Sequence, residues 1–307
     1  KAAQPHPARG PARIMPPAGS TGPLSLLWKS LAALIAAVGV SAAIRYFLRK
    51  AAAVKRLTDA SKKKIQHTVQ FVMPDLAEDS ETNKKISAIV AKMNELPGVQ
   101  VCFNRFGSKG LGKEAFLQEM GKPDMSQGFT HCLFMVADGI EELKGYLHSA
   151  LHKEDWMKTV GPFVKFNLVT DTEFGISLPG SGATDPILQT VMLRFQGNVS
   201  RGSDLENSLK QVVGEFSKCP GISATLSPMG VGDMTKDELL QAVNWPDKTF
   251  GISHMLTIAA DSPSALKNLM SDGIYKKWLE SELPHLVQDG SPAVVLVFTP
   301  LTLTASN

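Results

Sequence analysis

Residues 65–73 (IQHTVQFVM) alternate along the chain, putting Ile65, His67, Val69, Phe71 and Met73 on one face. A period of two predicts a strand with one face on a core. The pattern then changes. Over 78–95, Ile86, Ile89, Val90 and Met93 recur at spacings of three and four, the stripe of an amphipathic helix, and Pro97-Gly98 stops it. Strands are predicted over 99–106 and 128–137, the latter with Phe129, His131, Leu133 and Met135 on one face. Short helices follow over 140–148 and 153–160, and a fourth strand over 163–170. The order β-α-β-β-α-β predicts an α+β domain: a four-stranded antiparallel sheet with its helices on one face, the ferredoxin-like topology.

The pattern is written twice. GFTHCLFMVAD at 128–138 returns as GISHMLTIAAD at 251–261, an offset of 123. The same offset relates Leu96-Pro97-Gly98-Val99 to Cys219-Pro220-Gly221-Ile222, Gly107 to Gly230, and Pro123-Asp124 to Pro246-Asp247. Trp156 and Trp278 are 122 apart, so one deletion intervenes. A fixed offset over this span means two copies of a unit of about 110 residues, ordinary domain size. Copy two predicts strands over 187–195, 222–229, 251–260 and 293–299, with helices over 204–216, 264–270 and 275–283. A duplicated domain tends to form a pseudo-symmetric pair, a covalent counterpart of a homodimer. The segments are thus domain 1 at 65–172, a linker at 173–186 whose later part is polar and Gly-rich, domain 2 at 187–300, and a tail at 301–307. Fully extended, the linker reaches about 46 Å, ample to stack two sheets.

Charge separates the rest of the chain from these domains. Residues 1–58 hold nine Lys or Arg and no Asp or Glu, leaving 23 basic and 29 acidic residues beyond, a net of −6. A mildly acidic globular part excludes nucleic acid as a partner. The three cysteines, Cys102, Cys132 and Cys219, lack metal-ligand spacing and fit a reducing compartment without disulfides. Residues 1–23 are Pro-, Ala- and Gly-rich with no apolar period, the composition of a disordered or partner-bound tail and of organelle-targeting sequence. A transmembrane helix is expected within 24–50: residues 26–48 would span roughly 35 Å as a helix, against about 30 Å of bilayer core. Trp28 and Tyr46 stand at its two ends, and Lys29 and Arg45 can reach the headgroups. Small residues (Ala33, Ala37, Gly39, Ser41) would let another helix pack closely. The basic linker 51–64 continues the charge of Arg45, Arg49 and Lys50, so the positive-inside rule places the two domains on the stromal or matrix side.

Several motifs then carry a family resemblance. The first strand holds Gln66-His67-Thr68-Val69, the first helix ends at Leu96-Pro97-Gly98, and the third strand opens with Gly128-Phe129-Thr130-His131. Tyr146 and His152 follow in GYLHSALH, and the last strand ends in Val169-Thr170-Asp171. Each copy resembles a stress-response A/B barrel domain, a branch of the dimeric α+β barrels. The resemblance covers 65–172 strongly and 187–300 less strongly. It implies two sheets meeting back to back around an eight-stranded barrel, closed here within one chain. Relatives in this family include plant polyketide cyclases, in which a Tyr-x5-His pair serves an aldol-type ring closure, His as base and Tyr positioning the carbonyl. Carried over, that gives His152 and Tyr146, with His67 and His131 nearby, as the candidate catalytic set. Copy two has Asn268 where Tyr146 is, Ile274 where His152 is and Gln189 where His67 is, and keeps only His254, so at most one site is competent. Persistence of His131 and His254 where the rest is lost favours a structural role for those two. Tyr146 and His152 have a structural reading as well, as packing residues, since fold does not fix function.

Other chemistry is absent from the sequence. Gly107-Ser108-Lys109-Gly110-Leu111-Gly112 lacks the strand-to-helix setting of a phosphate loop. His148 and His152 are four apart without a third ligand, so no metal site is expected. No cofactor is expected, although pigment or lipid could contact the membrane helix. The reading these features favour is a membrane-anchored accessory or scaffold subunit of an organellar membrane complex. A thylakoid photosynthetic complex such as a photosystem fits better than the mitochondrial inner membrane, with complex subunits and the bilayer as partners. The alternative is a membrane-tethered cyclase-like or isomerase-like enzyme acting on a small aromatic or polyketide molecule in domain 1.

Overall fold

The computed structural model describes residues 45, 48, 63–77, 81–108, 110–180, 183–197, 199–288 and 294–300. By its internal contacts the chain divides into residues 1–55 and residues 56–307, and both copies belong to the second unit. Copy one runs β1 (Ile65–Val72), α1 (Glu81–Met93), β2 (Val99–Arg105), the hairpin β3 (Gly107–Ser108) and β4 (Leu111–Gly112), and α2 (Lys113–Met120). It continues with β5 (His131–Ala137), α3 (Ile140–His148), a π-helical turn (Leu151–Trp156) that passes into α4 (Met157–Val160), and β6 (Phe166–Glu173). Copy two repeats the order: β7 (Ile187–Leu193), α5 (Asp204–Phe216), β8 (Ile222–Pro228), β9 (Gly230–Val231), β10 (Met234–Thr235) and α6 (Lys236–Val243). After these come β11 (His254–Ala260), α7 (Pro263–Ser271), α8 (Gly273–Lys277), a second π-helical turn (Trp278–Glu282) and β12 (Val294–Pro300).

Each copy forms an antiparallel sheet of ferredoxin-like order, β6-β1-β5-β2 and β12-β7-β11-β8. One face of each sheet carries its helices. On β1 that face holds Ile65, Val69 and Phe71, which join Ile86, Met93, Leu143 and Trp156 in copy one's core. The opposite face of β1 is polar yet fully buried at Gln66, Thr68 and Gln70, because it meets the other sheet. Gln66 Nε2 donates to Thr257 Oγ1 at 3.0 Å, and Gln70 Nε2 donates to Thr190 Oγ1 at 3.2 Å. Phe134, Val136 and Leu168 meet Leu188, Met192 and Met255 in the same interior. The sheet of copy one also continues onto copy two through the parallel bridge Thr172–Gly230. The two ferredoxin-like copies therefore pair within one chain as a dimeric α+β barrel does between subunits.

The pairing is tightened by an exchange of short helices that the sequence pattern did not predict. Phe116, Leu117 and Met120 of α2 pack into the core of copy two with Phe216, Leu269 and Trp278. Reciprocally, Leu239 and Val243 of α6 pack into the core of copy one with Tyr146 and Trp156. Matching clips hold the loops that follow. Lys113 Nζ lies 2.8 Å from Asp124 Oδ2, and the other Asp124 oxygen accepts from Ser126 N at 2.8 Å. Lys236 does the same with Asp247 at 2.6 Å, whose other oxygen accepts from Thr249 N at 2.8 Å. Phe116→Ala is accordingly expected to cost about 3–5 kcal/mol. The loss should appear in copy two: hydrogen exchange should speed up in α5 and α7, more than in α1 of the copy that carries the mutation.

Several element boundaries differ from expectation. The fourth strand spans Phe166–Glu173, not 163–170, because Pro162 sits in a 3-10 turn (Gly161–Phe163) whose ring and missing N–H delay strand pairing. The helix expected over 153–160 begins with the π-turn at Leu151. Residues 78–80, the start of the helix expected over 78–95, lie outside the described residues. So do the tail 1–23, the C-terminal tail 301–307, and the expected membrane helix and basic linker, save that Arg45 and Leu48 are helical and Lys63 and Lys64 are seen. Among the described residues no helix is long and apolar enough to cross a membrane.

Candidate functional site

A cavity of about 490 Å³ lies between the sheet and the helices of copy one. Its floor is His67, Val69 and Val169 on β1 and β6; Tyr146, His152 and Trp156 form one wall. Copy two supplies the rest of the rim through Trp245, Pro246 and Lys248, on the loop after the exchanged helix α6.

Strand parity brings His67 to the helix side of the sheet, and register places it opposite Asp171. His67 Nδ1 lies 2.7 Å from Asp171 Oδ1, with both side chains buried. An ionised carboxylate only accepts, so Nδ1 is the donor of this pair, and in the neutral form of the ring the lone pair falls to Nε2. Tyr146 lies on the buried stripe of α3 with Leu143 and Leu147. The helix stops at Ser149, whose backbone turns extended, and Ser149 Oγ accepts from His152 N at 3.1 Å, seeding the π-turn. Within that turn His152 and Trp156 are both buried. π-turns are rare and often mark functional positions.

Three of the four sequence-derived candidates meet here. The rings of His67 and Tyr146 are 5.9 Å apart edge to face, and those of Tyr146 and His152 are 4.9 Å apart. His152 Nδ1 donates to Leu147 O at 3.1 Å, which leaves its Nε2 as an acceptor. Its outer face meets Trp245 of copy two at 5.4 Å. Burial, reinforced by neighbouring His67, lowers its pKa to about 4, so the imidazole is neutral at pH 7. Burial pushes the Tyr146 phenol well up, keeping its proton in place. His131 is not at the cavity. It stacks on Phe103 at 5.4 Å and bonds Thr130 Oγ1 at 2.8 Å. His148 is also apart, its Nε2 donating to Val243 O at 2.8 Å, so His148 and His152 do not form a pair. Among the described residues no group of three metal-ligating side chains occurs.

Copy two has filled the corresponding space. Gln189 replaces His67, and its Nε2 donates to Tyr275 Oη at 2.7 Å. Tyr275, not Ile274, occupies the position of His152: its N–H donates to Asp272 Oδ1 at 3.3 Å as His152 N does to Ser149 Oγ, and it is fully buried beside Phe216. Three contributors to the site of copy one escaped the sequence reading. Asp171 closes the last-strand motif, and register alone pairs it with His67. Trp245 and Lys248 come from the other copy, and nothing local to either segment announces their destination.

Topology, sheet stacking and intramolecular pairing together define a ferredoxin-like dimeric α+β barrel protein. Several solved structures are similar to the chain at low identity. A protein of Fusobacterium nucleatum described as a candidate monooxygenase is 12% identical, with 78% of this chain and 92% of that one covered and a TM-score of 0.47. An anthrone oxidase-like protein is 11% identical over 81% and 98% of the two chains, also at 0.47. Chlorite dismutase from Candidatus Nitrospira defluvii is 11% identical over 80% and 94%, at 0.42. No family model matches the chain, and no curated protein matches it.

Proposed function

We propose that copy one is a proton-transfer site of the stress-response A/B barrel type, in a membrane-tethered cyclase-like or isomerase-like enzyme of a small aromatic or polyketide-like molecule. The observation that carries this reading is the convergence of His67, Tyr146 and His152 on one cavity, with Asp171 behind His67, in the copy whose space is open. His67 is the base. Its Nε2 takes a proton from the carbon beside a substrate carbonyl, and Asp171 stabilises the imidazolium that results. Tyr146 donates its hydroxyl to the carbonyl oxygen as enolate charge develops. Attack of the enolate carbon on a second carbonyl of the same molecule closes a ring, and the proton returns from His67 to the new alkoxide. His152, held neutral, orients the substrate by accepting a hydrogen bond at Nε2. Deuterium uptake from solvent into the α-carbon of aryl 1,3-diketones, followed by NMR, tests this. His67→Ala should slow enzyme-dependent exchange by about 10²–10⁴-fold, and Asp171→Asn should slow it less. Exchange no faster than in buffer, or unchanged in His67→Ala, would refute the assignment.

The sequence of 26–48, with its flanking charges, and the filled site of copy two favour a second reading. In it the chain is an accessory subunit of a membrane complex, thylakoid by preference, with copy one's pocket dispensable. The two readings diverge on mutation. Under the second, removing residues 24–50 releases the barrel and weakens a complex that purifies in mild detergent, while His67→Ala and His152→Ala leave its assembly and its function intact.

A further inference from the structure

The rim of the copy one cavity carries two lysines and no acid. Lys153 from copy one and Lys248 from copy two both line it, and among the described residues no carboxylate does. Nearby acids are engaged elsewhere: Glu154 pairs with Lys158 at 3.3 Å and Asp247 with Lys236 at 2.6 Å. Neither Lys153 nor Lys248 has an ion-pair partner among the described residues. Lys248 is half-buried and its backbone is fixed, since its carbonyl accepts from Val169 N at 3.1 Å and the Lys236–Asp247 clip sits beside it. Both lysines are near the wall. After burial and His67, they too press the His152 pKa down. The position matching Lys248 in the other copy is uncharged, Met125, whereas Lys153 is matched by Lys276.

A half-buried ammonium without a counter-charge is costly, and a bound anion relieves the cost. Behind the lysines the cavity is apolar, with Val69, Phe71, Leu133 and Val160 on its surface. We propose that the site takes a carboxylate-bearing aromatic or polyketide acid, its ring or chain in the apolar interior and its carboxylate between Lys153 and Lys248. This rests on the cavity being a small-molecule site, and it makes the second copy a specificity element of that site. A filled half-barrel is thereby still required, because it delivers Lys248 and Trp245 to the rim.

Calorimetry on the full chain at low salt, with 2-naphthoate and its neutral analogue 2-naphthalenemethanol, separates the possibilities. Wild type should bind the acid about tenfold more tightly than the alcohol, with the difference shrinking as salt rises. Lys248→Met, which installs the residue of the matching loop, should weaken the acid by about fivefold and leave the alcohol within about twofold. Lys153→Met should act in the same direction, and melting curves of both variants should overlay wild type. If the alcohol binds as well as the acid, or both variants weaken the two ligands alike, the anion assignment is wrong and the cavity reading stands. If neither compound binds wild type, the cavity reading falls and takes this proposal with it.

Discussion

Lowering the pH from 7.5 to 5 is expected to remove about 4 kcal/mol of folding stability. Two histidines set this figure. His131 and His152 are 3% and 8% exposed, and burial lowers each pKa from 6.5 to about 4, with the Arg105 charge adding to the effect at His131. Between those values the unfolded chain binds protons that the native state refuses, so stability is full above pH 6.5 and falls as pH drops towards 4. At pH 5 each site contributes about 2 kcal/mol of loss. At His254 burial also lowers the pKa to about 4, against the pull of Glu206, whose carboxylate lies 3.4 Å from Nε2, so the figure from His131 and His152 is a minimum. Urea titrations at pH 7.5 and pH 5 measure the difference. Replacing His131 by Asn should lower stability at pH 7.5 and also flatten the pH dependence, since one of the buried titrating imidazoles is gone. A wild-type stability unchanged across this range would mean that the two imidazoles are not held neutral by the fold.

The same burial explains what the sequence could and could not reveal. Alternation on β1 and the 123-residue offset were enough to read the sheet order and the duplication, because both are local or self-repeating signals. The even positions of β1 were harder. Gln66, Thr68 and Gln70 look like a wet face. They are dry because a second sheet covers them, and their side-chain amides find Thr257 and Thr190 only after the copies pair. Gln70 Oε1 remains without a partner. The exchanged helices were missed for a related reason. KEAFLQEM is eight residues long, too short for a periodic stripe, and its apolar side chains answer to Phe216 and Trp278, a hundred residues or more away. At the site, the Tyr146–His152 spacing came from the family resemblance and the structure puts both on one wall. His67 gained its partner Asp171 through register across β1 and β6. His131, grouped with them because it opens a strand beside them, belongs instead to a stack with Phe103 beyond the cavity.

Truncating Tyr275 to Ala should cost about 3–5 kcal/mol, as large as any single substitution in copy two. Tyr275 is 0% exposed and packs edge to face on Phe216 at 5.3 Å. Its hydroxyl is the acceptor for Gln189 Nε2, and Gln189 Oε1 already lacks a partner. Removing the ring therefore leaves a void and an orphaned buried amide, two effects that add. Tyr275→Phe isolates the second effect and should cost about 1–3 kcal/mol. His152→Ala, at the matching position of copy one, should cost less than Tyr275→Ala, because the smaller ring borders an open cavity. The contrast tests the view that one residue type closes the pocket of copy two while another leaves that of copy one open. Chemical denaturation of the three variants measures it directly. Tyr275→Ala should also bind a small apolar probe such as indole in copy two, adding a second binding event to that of copy one. A Tyr275→Ala variant within 1 kcal/mol of wild type, with no added probe binding, would show that the ring is not what fills the second half of the duplicated fold.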